Sequence, residues 1–141
     1  MMRTLFLLAL LSFPLLAPGQ DVPPEVSFKT EKAKYKPGED VRGTVTVAFA
    51  PGLHGYQNPP DPDYVLPVRV TAGAGFTVKS ATYPKGHRAS FGGSDAMFYT
   101  DTIEIPVVVA APRGTGKVSV ELALFYQQCD ANICYLPATI P

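Results

Sequence analysis

From residue 41 to residue 49, apolar and polar side chains alternate. Val41, Val45, Val47 and Phe49 fall on one face, and Arg42, Thr44 and Thr46 on the other. A period of two is that of a half-buried strand. Residues 117–126 repeat it, with Val118, Val120, Leu122 and Leu124 directed inward and Ser119 and Glu121 outward. Residues 103–109 are mostly apolar and β-branched, and Pro106 is expected at an edge or a bulge because it has no N–H to donate. Residues 25–29, 64–71 and 76–83 read as further strands. Turn chemistry separates these runs. Lys36-Pro37-Gly38-Glu39 presets a tight turn, and residues 58–63 and Gly73-Ala74-Gly75 break the chain in the same way. Residues 85–95, with three glycines and Phe91, read as a longer loop. About seven or eight short strands joined by turns predict an all-β, immunoglobulin-like antiparallel β-sandwich in a single domain.

The first residues do not fit that pattern. Met1-Met2-Arg3 is a short positive start, residues 5–16 are almost unbroken apolar sequence, and Ala17-Pro18-Gly19 supplies small residues. This is the layout of a cleaved secretory signal over residues 1–19, leaving a domain over residues 20–141. The apolar run is shorter than the ~20 residues that span a bilayer. No cysteine follows it to carry a lipid anchor. The expected product is soluble and periplasmic or otherwise extracytoplasmic, with no stable membrane insertion after cleavage.

The whole chain has 12 Lys+Arg and 12 Asp+Glu, so loss of Arg3 leaves one acidic residue in excess. With no basic cluster, nucleic acid is not an expected partner. His54, His87, Met97 and the cysteines are the available metal-ligand types. Their scatter over unrelated segments favours surface or packing roles, so no metal is expected. Neither a serine elbow, a phosphate-cradling glycine loop nor a Cys-x-x-Cys motif is present, and no cofactor is expected.

Cys129 and Cys134 are the only cysteines. They follow a strong strand and flank Asp130-Ala131-Asn132, residues that tolerate a turn, so the pair is expected at a hairpin. In an oxidising compartment such a pair forms a disulfide. Closing about six residues is worth about 2.2 kcal/mol by chain entropy, against about 4.7 kcal/mol for a 100-residue loop. Two neighbours already joined by a turn gain little from a second tie, and an exposed bridge is the more easily reduced kind. Chemistry alone leaves two readings open: a redox-active pair, or a non-catalytic secreted binding or assembly domain with a structural hairpin disulfide.

Tyr126-Gln127-x-Cys129 followed by Cys134-Tyr135-x-Pro137 resembles the active-site hairpin of the amino-terminal periplasmic domain of the DsbD thiol:disulfide interchange reductases. Tyr35-x-Pro37-Gly38-Glu39, Gly52-Leu53-His54-Gly55-Tyr56 and Phe91-Gly92 fall in that family's order. The resemblance implies an immunoglobulin-like fold and a thiol:disulfide oxidoreductase activity carried by Cys129 and Cys134. In it Cys134 meets the partner and Cys129 resolves the mixed disulfide. It also implies that Phe91 caps the cysteines and that Tyr126 and Tyr135 shield them and form part of the docking surface. Implied partners are thioredoxin-like periplasmic proteins. Because the sequence stops at Pro141, a separate membrane electron donor is expected. The family has acidic residues before its aromatic cap, whereas this chain reads Arg88-Ala89-Ser90-Phe91, so no acid–base role carries over to that stretch.

Independently of the resemblance, residues 122–140 contain no Lys, Arg or His, and Asp130 adjoins Cys129. Thiolates are generated by nearby positive charge and disfavoured by a neighbouring carboxylate. Free thiols here are expected to be sluggish until a partner docks, unless folding brings a basic side chain close.

Overall fold

The structure, a computed structural model, describes residues 22–141 except Pro112 and Thr115. The expected signal over residues 1–19 lies outside the described residues. The described residues form eleven strands: β1 Glu25–Thr30, β2 Val41–Ala48, β3 His54–Tyr56, β4 Arg69–Ala72, β5 Thr77–Ala81, β6 His87–Phe91, β7 Ser94–Tyr99, β8 Thr102–Ala110, β9 Leu122–Tyr126, β10 Gln128–Cys129 and β11 Ala138–Ile140. Among the described residues there is no helix.

The strands pair in the orders β1-β2-β8-β5, β10-β3-β7-β6 and β11-β9-β4, and every strand pair is antiparallel. β9 runs into β10 with only Gln127 between them, and a bridge links Tyr56 to Pro67, so the second and third groups adjoin. The first group supplies Val41, Val45 and Val47 of β2 and Ile105, Val107 and Val109 of β8 to the core. Facing them are Val70 of β4, Leu124 and Tyr126 of β9, and Tyr99 of β7, with Phe49 and Val68 filling in from loops. This is an all-β, immunoglobulin-like sandwich in one domain.

The alternation in β2 is realised as expected, with Val41, Val45 and Val47 buried and Arg42 exposed. In residues 117–126 only Leu122–Tyr126 is strand. β4 ends opposite Leu122 and the ladder closes with Gly73 N–H donating to Glu121 O at 2.8 Å. Residues 117–121 therefore have no strand partner among the described residues, and Val118 is 58% exposed. Likewise the strands expected over 64–71 and 76–83 shorten to β4 and β5.

Pro106 lies in β8, between β2 and β5, and not on an edge strand. Its carbonyl accepts from Thr82 N–H, one residue past the end of β5. A residue's N–H and C=O point to the same side of a strand, so the missing donor faces the side where β5 has just ended. Locally that position is an edge, which is why proline is tolerated there.

Residues 85–95 are not a long loop. They contain β6 and the start of β7, a hairpin turning at Gly92-Gly93, whose φ values are 58° and 81°. Consecutive left-handed residues match the strand twist in a two-residue turn, and glycine takes them without steric cost. This hairpin delivers Phe91 to the cysteine end of the molecule.

Candidate redox site

β10 is only two residues long and pairs with β3 through Gln128 opposite Gly55 and Cys129 opposite His54. β3 lies close against the core: a Cβ on Gly55 would stand 2.8 Å from Phe49 Cζ. After Cys129 the chain reverses. Asp130 Oδ1 accepts from Asn132 N–H at 2.7 Å and Ile133 N–H at 2.8 Å, and Oδ2 accepts from the Tyr135 hydroxyl at 2.9 Å. Those bonds hold the Asp130 carboxyl below its ordinary range, the backbone donors contributing most. An aspartate at a turn that captures the following N–H groups is the local reason for the reversal.

The reversal sets Cys129 opposite Cys134 in an antiparallel bridge. Asp130 N–H donates to Ile133 O at 2.9 Å on one side, and Tyr135 N–H to Gln128 O at 2.8 Å on the other. The cysteines thus occupy the narrow, non-hydrogen-bonded position, where side chains on paired strands come closest. Their Cα atoms are 3.9 Å apart and their sulfurs are joined in a disulfide. The two cysteines differ in exposure: Cys129 is 2% exposed as a residue, whereas Cys134 is exposed.

Above them is a cavity of about 250 Å³, lined by both cysteines, by Phe91 and Phe98, and by His54 and Tyr56. The Tyr56 hydroxyl lies 3.4 Å from Cys134 Sγ and 3.6 Å from Cys129 Sγ. Bridged sulfurs carry no hydrogen, so the phenol is the donor. Burial raises the Tyr56 pKa above its ordinary value, and Tyr64 adds to the shift, so the group keeps its proton. Its ring packs on Phe98 with centroids 5.0 Å apart.

His54 is 2% exposed, stacked on Phe91 at 4.0 Å and edge-on to Phe98 at 4.4 Å. Its Nε2 has no hydrogen-bond partner among the described residues. Burial lowers its pKa to about 4; Asp130 opposes the shift and His87 adds to it. The imidazole that folding brings opposite Cys129 is therefore neutral, and among the described residues neither Lys nor Arg lines the cavity.

Of the residues singled out in the sequence, Cys129, Cys134 and Phe91 come together in this cavity. Tyr126 does not: it is buried in the core cluster beside Leu124. Tyr135 is half-buried, and its hydroxyl and backbone tie the hairpin without lining the cavity. His87 is exposed on β6 and Met97 is buried on β7. Among the described residues no group of three or more His, Cys, Asp or Glu is placed to hold a metal. Sequence reasoning missed Tyr56 and Phe98 as site residues and gave His54 no place beside the sulfurs.

The family model described as "Thiol:disulfide interchange protein DsbD, N-terminal" matches residues 21–140. No curated protein and no solved structure matches the chain. The match takes in the hairpin, the aromatic cluster and all eleven strands; the chain belongs to the family of N-terminal domains of the thiol:disulfide interchange protein DsbD.

Proposed function

We propose that this domain is an extracytoplasmic thiol:disulfide exchange module in which Cys134 meets the partner and Cys129 resolves the intermediate. Membership of the family carries the chemistry, thiol:disulfide exchange, and the pair able to perform it is bridged at the domain surface. One observation supports the division of labour above others: Cys134 is exposed while Cys129 is enclosed. An incoming thiolate must reach the sulfur it attacks, and access selects Cys134.

In the reductive direction, the Cys134 thiolate attacks a sulfur of the partner's disulfide. The partner's second sulfur leaves as a thiolate and takes up a proton. Cys129, having given up its own proton, then attacks Cys134 Sγ. The partner leaves as a dithiol, and the domain is left with the Cys129–Cys134 bridge. Two electrons and two protons have passed to the partner. A donor dithiol attacking Cys134 Sγ reverses the sequence and expels Cys129 as the thiolate. That thiolate forms in an enclosed place, where loss of water disfavours charge. The Tyr56 hydroxyl, within reach of both sulfurs, supplies a hydrogen bond that offsets part of this cost. Phe91, stacked on His54 over the same cavity, restricts access by other disulfides.

Thioredoxin-like proteins are the proposed acceptors and a separate membrane protein the proposed donor. Export through cleavage after residue 19 would place the domain outside the cytoplasm. Among the described residues no helix is long and apolar enough to cross a membrane. The test is a pair of variants, reduced and mixed with an oxidised thioredoxin-like protein. Cys129→Ser accumulates a mixed disulfide through Cys134, whereas Cys134→Ser does not. Equal behaviour of the two variants would refute the assignment.

A further inference from the structure

Building on the exchange reading, we propose that the surface around Cys134 recognises a protein partner whose reactive disulfide is flanked by lysine or arginine and by an apolar side chain. Two independent features of the site carry this.

The first is charge. Asp95 and Asp130 line the cavity, and among the described residues no Lys or Arg does. Asp63 adds a third carboxylate on the loop that carries Pro62 and Tyr64 to the rim. The nearby cations are compensated or turned away. Arg88 is paired with Asp61 at 2.6 Å, and Lys85 shares with Arg88 a separate depression beside Gln57 and Met97. His54 is neutral because it is buried. By contrast, Lys32, Lys34, Lys36 and Lys117 line a groove at the other end of β2, and Lys32 is paired with Glu39. The eight residues of β2 separate these ends by roughly 25 Å at ~3.3 Å per residue. The molecule is thus polarised along its strands, with the cysteines at the acidic end. Such a field draws a cationic surface to that end and repels it from the other.

The second feature is apolar exposure. Tyr64 is 75% exposed and Ile133 55% exposed, both on the cavity rim, and Leu136 is exposed two residues beyond Cys134. Large apolar side chains gathered around an accessible sulfur mark a contact surface.

Together these features have a chemical consequence. The site lacks the positive charge that would generate a thiolate at Cys134. A partner cation beside its own disulfide brings that charge on docking, so activation of the thiol coincides with arrival of the correct acceptor.

The test uses the reduced protein and three tetrapeptides, acetyl-Lys-Leu-Cys-Lys-amide and its Gln and Glu counterparts. Each carries its cysteine as a disulfide with thionitrobenzoate, whose release is followed by absorbance. Rates are divided by those with 2-mercaptoethanol to remove intrinsic reactivity. At ~20 mM salt the normalised rate for the Lys peptide exceeds that for the Glu peptide by about tenfold. The ratio falls to about twofold at ~500 mM salt, where the screening length is a few ångströms. Asp95→Asn lowers the low-salt ratio by about twofold. Equal normalised rates, or a ratio indifferent to salt and to Asp95→Asn, would overturn the proposal while leaving the exchange reading intact. Absence of reaction with all three peptides would remove the exchange reading and the proposal with it.

Discussion

The imidazole of His54 stacks on the ring of Phe91 with centroids 4.0 Å apart and planes 19° from parallel. Through it the tip of the β6–β7 hairpin is held over Cys129, the register partner of His54. Truncating the upper ring should uncover the bridge. Phe91→Ala is expected to raise the rate at which dithiothreitol reduces the oxidised protein by about threefold to tenfold. Its cost in stability is about 1–2 kcal/mol, since Phe91 is only half-buried. Stopped-flow reduction and urea unfolding measure the two effects. An unchanged reduction rate would mean that Phe91 covers nothing that matters.

The same stack makes stability depend on pH. In the unfolded chain His54 titrates near its ordinary value of 6.5, whereas in the folded protein burial lowers it to about 4. Between these values the unfolded state binds the extra proton, so stability falls as pH drops from about 6.5 towards about 4. Above that window His54 contributes no slope, and below it no further loss. Asp130 acts separately. Its lowered pKa gives stability that is present above its unfolded value near 3.8 and lost at more acid pH. Urea unfolding from pH 7.5 to pH 4 should show a steeper decline for the natural protein than for His54→Phe. Parallel curves would contradict the burial of a neutral imidazole.

Tyr56→Phe keeps the ring against Phe98 and removes only the hydroxyl that reaches both sulfurs. A hydrogen bond to a forming thiolate worth about 1 kcal/mol predicts a loss of roughly fivefold in exchange rate. The melting temperature should change little. A large fall in melting temperature with an unchanged rate would assign Tyr56 to packing alone.

Asp130 organises the turn that brings the sulfurs together, through two backbone N–H groups and the Tyr135 hydroxyl. Asp130→Ala removes all three acceptor contacts and lowers the effective concentration of one thiol at the other. Its disulfide should therefore be more easily reduced, with a reduction potential less negative than that of the natural protein. Asp130→Asn, which can still accept from the backbone, should shift it less. Glutathione redox titration of the three proteins checks the order.

How much of this was legible in the sequence depended on how local each signal is. β2 was readable because its residues repeat one period against a buried face, and β8 because its run is rich in β-branched side chains. The cysteine turn was readable because its determinant, Asp130, acts within three residues. β6 was missed because it lies at the end of its sheet and exposes His87, Arg88 and Ser90, which erases the alternation. Its Gly-Gly turn was the usable signal. Tyr126 follows the parity that turns Leu124 inward, so the strand pattern alone pointed it into the core. His54 and Tyr56 sit in a three-residue strand, too short to show a period. Tyr56 reaches Cys129 across 73 positions of sequence, a relationship that only the folded sheet creates.

If the Cys129–Cys134 bridge opens and closes as part of function, its equilibrium reduction potential must lie within reach of its partners. Oxidised protein is equilibrated in glutathione or dithiothreitol buffers at neutral pH, quenched, and alkylated to count free thiols. A redox-active bridge gives a two-electron transition with a potential clearly above about −300 mV, in the range where thioredoxin-like proteins exchange electrons. A potential below about −300 mV, with the bridge intact throughout the physiological span, would contradict it and leave the disulfide a structural tie.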